Sequence, residues 1–530
     1  MSTSIPSIFT LFCVLLISIS RASSSSAHQN FLQCLSLHSD QSPIPVYTPN
    51  TSSYSSILQY SIQNLRFITP TTPKPQLIVT PSHDSHVQAA VICCRKHGLQ
   101  IRVRSGGHDY EGLSYMSDVP FVIVDLITFQ SIDVDLEDGS AWVQAGATIG
   151  QVYYRIAEKT RAYGFPAGGC PTLGVGGHFS AGGFGSLFRK YGLAADNIID
   201  ARLVNADGQI LDKESMGEDL FWAIRGGGAA SFGVILSWKI KLVPVPPTVT
   251  IFSIGKSLEQ GATALVHRWQ YIAYELPKDL LLAVFMRRVN ASQEREGTVQ
   301  ATFLSVFQGR TEQLLHIMDQ RFPELGVKSE DCMEMSWIQS SLYLAGFPID
   351  GPADVLLQRN QSRRFFKAKS DFVKEPIPET ALEGIWKRFY EVETPEMILV
   401  PYGGRMSEIP ESELPYSHRK GNMYSIQYLA WWEQEGPKAD TKNVNWVRRW
   451  YRYMAPYVSK SPRSAYLNYR DLDLGQSKNG TASYSQARVW GIKYYNNNFD
   501  RLVQVKSKVD PDNFFRNEQS IPSVPARKEK

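Results

Sequence analysis

An excess of charge of one sign is missing from this chain: Lys+Arg 55 against Asp+Glu 51 leaves a net +4 spread over 530 residues. The one basic block, Arg527–Lys530, reads as a solvated tail, so nucleic acid is not expected as a partner. After Ile19 no stretch approaches the ~18 uninterrupted apolar residues that a membrane helix needs, so no membrane partner is expected either. Cysteine is scarce, six in all, and no metal site is expected. Internal repeats and low-complexity tracts are absent too.

What is present begins with an apolar run from Ile8 to Ile19, followed by Arg21-Ala-Ser and a serine cluster ending at Ala27. It is too short to span a bilayer and is followed by small residues suited to cleavage, the pattern of a secretory signal over residues 1–27. The expected location is extracytoplasmic: apoplast, cell wall or vacuole. Four glycosylation sequons agree with that route, at Asn50, Asn290, Asn360 and Asn479. Cys13 lies in the signal, leaving Cys34, Cys93, Cys94, Cys170 and Cys332. An odd number in an oxidising compartment leaves at least one thiol with another fate.

With 43% hydrophobic, 12% aromatic and 20% charged residues, the composition is globular. Single cores stop growing near ~250–300 residues, so several domains are expected. Residues 28–72 carry short helical patterns before Pro70-Thr-Thr-Pro-Lys-Pro75. From 73 to 247 strands (Leu77–Thr80, Gln100–Arg104, Phe121–Asp125, Ala141–Ala145) alternate with helices (Ser85–Lys96, Thr148–Lys159). From 248 to 453 glycine thins out. Long strands at Leu280–Phe285, Val299–Phe307 and Tyr424–Trp432 there alternate with helices at Glu259–Tyr274 and Glu312–Phe322. The tail, 454–530, has one amphipathic helix and is too small to stand alone, so it is expected to pack on the first domain. The class is α+β.

Chemistry concentrates in three glycine-rich stretches. Arg104-Ser-Gly-Gly-His-Asp-Tyr-Glu-Gly112 follows a predicted strand, and glycines there let backbone N–H groups converge on an anion. Ala167-Gly-Gly-Cys-Pro-Thr-Leu-Gly-Val-Gly-Gly-His-Phe-Ser-Ala-Gly-Gly-Phe-Gly185 is too glycine-dense to be regular throughout, and Arg225-Gly-Gly-Gly-Ala-Ala-Ser-Phe-Gly233 lies near the end of the same domain. One such loop reads equally well as a plain turn with a surface histidine. Three in one domain indicate a large bound cofactor.

These segments, with Tyr191-Gly-Leu-Ala-Ala-Asp-Asn, Tyr466-Leu-Asn-Tyr-Arg-Asp-Leu-Asp-Leu-Gly and Asp510-Pro-Asp-Asn-Phe-Phe-Arg-Asn-Glu-Gln, resemble the berberine-bridge-enzyme-like family. The stretches Phe322-Pro-Glu-Leu-Gly and Lys374-Glu-Pro-Ile-Pro-Glu-Thr-Ala are similar to the cannabinoid acid synthases within it. The resemblance implies a p-cresol-methylhydroxylase-type FAD-binding domain. It also implies an α+β substrate domain with an antiparallel sheet, and a C-terminal segment returning to the FAD domain. FAD would be attached twice, through His108 and Cys170, and cradled by Arg104, Ser105, Gly106, Gly107, Leu173, Gly174, Gly177, His178, Gly183 and Asn468. Cys34 and Cys93 would form a disulfide, leaving Cys94 and Cys332 as buried thiols.

The same resemblance makes Tyr469 the catalytic base, with Tyr110, Tyr191 and Gln427 around it and Arg104 or Lys190 as a source of positive charge. A phenol near pKa ~10 is a weak base without such company. Ser425 stands where relatives often carry a charged helper, and Leu173 where a valine accompanies oxidases. The expected enzyme removes a hydride from a phenolic or prenylated phenolic plant metabolite and passes electrons to dioxygen or a quinone-like acceptor, acting as a monomer. Oligosaccharide or monolignol oxidation is an alternative, as is a Diels–Alder cyclisation on the FAD scaffold without net redox. An apolar, methionine-rich cavity would favour prenyl chains, and aromatic platforms with many hydroxyl partners would favour sugars.

Overall fold

The computed structural model describes residues 29–39, 42–289, 297–359, 363–478 and 480–524. The expected signal and the sequons at Asn290, Asn360 and Asn479 lie outside the described residues, and Asn50 is exposed on a turn.

The first half is built on two sheets. Strands Leu77–Val79, Phe121–Asp125 and Gln100–Arg104 run parallel, with Val46–Tyr47 antiparallel at the edge. Helix Asp84–Lys96 supplies the crossover from Leu77–Val79 to Gln100–Arg104, and Phe121–Asp125 pairs between those two. The strands are buried along their length, as sheets covered on both faces must be. Five antiparallel strands follow in the order Ile132–Asp135, Ser140–Gln144, Val234–Lys241, Ile198–Val204, Ile210–Leu211. Helix Ile149–Lys159 starts on a capping box, Thr148 and Gln151 satisfying each other's backbone N–H groups. The disulfide Cys34–Cys93 closes a 59-residue separation, which the chain-entropy estimate values at about 4 kcal/mol. Cys94 is buried, whereas Cys332 is only half-buried on an edge strand.

The second half carries one antiparallel sheet of seven strands, in the order Cys332–Met335, Val249–Ser257, Thr298–Phe307, Leu280–Val289, Pro395–Pro401, Tyr424–Trp432, Phe365–Val373. Side chains alternate faces along a strand. Leu280, Leu282, Val284 and Met286 therefore enter a core with Trp269, Trp386 and Trp450 from helices Ala262–Ile272, Glu379–Arg388 and Pro437–Met454. Leu281, Ala283, Phe285 and Arg287 point the other way, into a cavity shared with the first half.

The tail holds two helices rather than the single one expected, Tyr484–Tyr495 and Asn498–Val509. Asn496, at φ 46°, turns the chain between them. Their apolar faces, with Trp490, Tyr494, Phe499 and Leu502, join the core of the first half.

Candidate active site

The cavity between the two halves has a volume of about 1140 Å³. A drug-sized ligand needs ~300–1,000 Å³, so there is room for a large cofactor together with a substrate.

One wall is made of the glycine-rich stretches. Asp109 folds the first of them on itself, its Oδ1 accepting from the N–H groups of Glu111 at 2.9 Å and Leu113 at 3.1 Å. Ser105 donates to the carbonyl of Ala145 at 2.5 Å. Gly106 and Gly174 bring the first two stretches backbone to backbone: a Cβ on Gly106 would lie 2.3 Å from the Gly174 nitrogen. Gly177 opens on the cavity, with nothing within 4 Å of where its Cβ would be.

His108 and Cys170 meet at a shared neighbour. Thr172 Oγ1 is 3.0 Å from His108 Nε2 and 3.6 Å from Cys170 Sγ. Burial lowers the His108 pKa to about 4, so the imidazole is neutral near pH 7 and keeps a nitrogen lone pair. Burial lowers His178 to about 4 as well, and its Nε2 accepts from the Gly168 N–H at 3.1 Å. Asn468 donates from its carboxamide to the His178 carbonyl at 3.0 Å and to the Tyr466 hydroxyl at 2.7 Å. Ser105, Gly106, Gly107, Leu173 and Gly174 complete this wall.

These residues suit FAD. Arg102 lines the cavity and grips Glu518 at 2.8 Å through Nη2, but its Nε and Nη1 are buried with no partner in the protein. Buried guanidinium N–H groups call for an acceptor, and a pyrophosphate or ring carbonyl supplies one. The glycine cradle leaves space for it.

The opposite wall is one face of the seven-stranded sheet, with Leu281, Phe285, Ile398, Val400, Leu429 and Trp431 among its apolar residues. Phe366 adds a ring set edge-on to Tyr110 at 5.1 Å. Among the described residues this wall has no methionine, because Met286 and Met397 fall on the strand positions that face the helices. Toward the rim Glu396 accepts from Arg287 Nε at 2.6 Å, and the Arg364 guanidinium lies 3.8 Å from the Trp431 ring centroid.

Between the walls stand three tyrosines. Tyr110 and Tyr469 stack at 5.6 Å and 9°. Tyr466 sets its ring against Tyr469 at 5.0 Å and 77°, and its hydroxyl accepts from the Gly183 N–H at 2.9 Å. Gln427 Nε2 donates to the Tyr110 hydroxyl at 2.8 Å. Burial drives the Tyr110 and Tyr469 pKa values well above 10, reinforced for Tyr110 by Cys170 and for Tyr469 by Tyr110 itself. Both phenols hold their protons at neutral pH. Sequence reading overlooked Tyr466, although it lies three residues before Tyr469 in a stretch already singled out.

Four expectations are displaced. Tyr191 lies outside the cavity wall; its helix, Phe188–Tyr191, aims the hydroxyl at the Pro244 carbonyl, 2.5 Å away. Arg104 lies behind the wall, bound to Asp125 at 2.6 Å and to the Leu58 carbonyl at 2.6 Å. Lys190 is engaged by Asp279 at 2.5 Å near the surface and lies 5.4 Å from the Tyr191 ring centroid, so neither cation is set against Tyr110 or Tyr469. Gly183 is not on the cavity wall; its N–H donates to Tyr466, and a Cβ on it would lie 2.9 Å from the His178 ring. Ser425 is buried on strand Tyr424–Trp432, two positions before Gln427, and brings no charge.

Residues 75–213 match the family described as FAD binding domain, and residues 465–522 the one described as Berberine and berberine like. The chain is 59% identical over 529 residues to a tetrahydroberberine oxidase of Berberis wilsoniae, covering 98% of this chain and 99% of that one. It is 50% identical to monolignol oxidoreductase AtBBE-like 13 of Arabidopsis thaliana, covering 97% of each. The solved structure of BBE-like #28 from Arabidopsis thaliana superposes with a TM-score of 0.89 at 48% identity, covering 94% of this chain and all of that one. The chain is an FAD-dependent oxidoreductase of the berberine-bridge-enzyme-like family.

Proposed function

We propose that the enzyme removes a hydride from a flat, polycyclic aromatic plant metabolite, and that the bond it attacks is a carbon–hydrogen bond beside an amine nitrogen. One observation carries this reading: two proton-bearing phenols face the substrate space, with no cation on either. Oxidising an alcohol requires a base to take the hydroxyl proton as the hydride leaves. An unprotonated tertiary amine needs none, because its nitrogen lone pair stabilises the cation that forms. The apolar and aromatic wall of Phe285, Phe366 and Trp431 suits a flat ring system better than a sugar, and its lack of methionine speaks against a prenyl chain. The tetrahydroberberine oxidase of Berberis is named for a substrate of this kind.

When bound, FAD supplies the electron sink. His108 and Cys170 would hold it covalently, since both line the cavity against the same threonine and the imidazole is neutral. Gln427 fixes the Tyr110 hydroxyl, and the stacked tyrosines close the substrate space from one side. Dioxygen is the proposed final acceptor, taken up slowly past Leu173. The route is secretory, in keeping with the disulfide and with the absence, among the described residues, of a helix able to cross a membrane.

A second reading, oxidation of a phenolic alcohol, is favoured by the Gln427–Tyr110 hydrogen bond, which would orient a hydroxyl-bearing substrate. Anaerobic mixing with a tetrahydroberberine-type amine, a monolignol and a cello-oligosaccharide separates the readings through bleaching of the flavin absorbance. The amine is expected to bleach it. An inert amine alongside an active alcohol or sugar refutes the first reading.

A further inference from the structure

The stacked tyrosines arrive from distant parts of the chain, Tyr110 from the first half and Tyr469 from the tail. Beside the rings an ion pair, Arg470 Nε to Asp109 at 3.1 Å, already joins the two segments. Directly behind the pair lies a cluster of buried charges that the chemistry above does not use. Lys367, on strand Phe365–Val373, places its ammonium between the carboxylates of Glu111, the residue after Tyr110, and Asp471, two residues after Tyr469. The contact to Asp471 is 2.8 Å, and the side chains are 3%, 6% and 2% exposed. Lys369 takes the other Asp471 oxygen at 2.5 Å and Asp473 at 2.8 Å.

We propose that Lys367 is a positioning residue: by bridging Glu111 and Asp471 it sets the spacing of Tyr110 and Tyr469, and with it the substrate wall the two rings form. This rests on reading the tyrosine pair as substrate-facing. Buried ion pairs add little net stability against apolar replacements, but they are strict about register, because a charge left without its partner inside the protein is costly. With Lys367 gone, Asp471 keeps Lys369 at 2.5 Å and the one cation left to Glu111 is Arg66 at 3.9 Å, so no shared cation draws the two carboxylates together, and each is fastened to a tyrosine-bearing segment. Phe366, which also touches Tyr110, precedes Lys367 on the same strand, so the brace and the wall move together.

The test compares Lys367→Met, Lys367→Arg, Glu111→Gln and Arg419→Met as purified holoproteins. Arg419 is equally buried and pairs with Asp196 at 2.7 Å between the same two halves, but touches neither tyrosine. All four are expected to keep their flavin, and both methionine variants to melt earlier. Lys367→Met should slow the limiting rate of flavin reduction by about 10- to 100-fold, Arg419→Met by less than about twofold, with Lys367→Arg recovering most of the loss. A crystal structure of Lys367→Met should show the rings displaced from their 5.6 Å stack. An unmoved stack, or a rate loss no greater than that of Arg419→Met, overturns the proposal. If Lys367→Met does not fold, Glu111→Gln removes half the brace without changing shape, and the same criteria apply to it. If no substrate reduces the wild-type flavin, the functional reading fails, and the ring positions alone decide the brace.

Discussion

Gln427 on the substrate sheet donates to the Tyr110 hydroxyl at 2.8 Å, while the Tyr469 hydroxyl, stacked beside it, has neither a cation nor a charged hydrogen-bond partner. A phenol so placed is a poor base. Tyr469→Phe should therefore slow flavin reduction by an amine less than about tenfold, short of the roughly 100-fold usual for loss of a general base. Anaerobic stopped-flow with the amine measures the ratio, and a loss of about 100-fold or more would return Tyr469 to the role of base.

Oxygen reactivity should depend on Leu173. It lines the cavity three residues after Cys170, packed so that its Cδ1 lies 3.3 Å from where a Cβ on Gly168 would be. Interiors are dense enough that one methylene can fill a dioxygen-sized niche. Leu173→Val should speed reoxidation of the reduced enzyme in air several-fold and leave its reduction unchanged. Equal reoxidation rates would show that oxygen enters elsewhere.

Covalent attachment is tested by precipitation in acid. Wild-type protein, His108→Ala and Cys170→Ala should each carry flavin into the pellet, whereas the double variant should release it. Flavin in the wild-type supernatant would rule out both bonds.

Acid stability should respond to His418, which stacks on Phe372 at 4.1 Å and whose pKa burial lowers to about 3. Above pH 6.5 the ring is neutral both folded and unfolded and contributes no pH dependence. Below it the unfolded chain takes up a proton that the folded chain refuses, so stability falls by about 1.4 kcal/mol per pH unit until the folded ring also protonates. Thermal midpoints between pH 6.5 and 4 should drop less steeply in His418→Phe. Parallel curves would mean that His418 does not drive the loss.

What could be read from the sequence follows from which residues are singular. Glycine clusters announce close backbone approach because few other residues tolerate it, and Gly106 lies backbone to backbone against Gly174. Tyrosine carries no such mark among 25 copies. Tyr191 and Tyr466 part in the direction a local turn gives the hydroxyl, toward Pro244 or toward Gly183 and Asn468 beside the cavity, and no pattern encodes that. Leu280–Met286 is apolar at every position, so its sequence could not say which alternate set would face the cavity. Where one tail helix is expected there are two, parted at Asn496 by a backbone angle.

The seven-stranded sheet has a further consequence, for inheritance. On strands Leu280–Val289 and Tyr424–Trp432, Leu281, Ala283, Phe285, Arg287, Gln427, Leu429 and Trp431 line the cavity, while the residues between them, from Leu280 to Met286 and from Ile426 to Ala430, enter a core closed by the sheet's own helices. A change at Phe285, Leu429 or Trp431 thus alters what the enzyme admits while the packing that keeps it folded is untouched. The FAD side has no such freedom, because at Gly106 and Gly174 a single added carbon would collide with backbone. One lineage could therefore try many substrates by single substitutions while its cofactor cradle stays fixed.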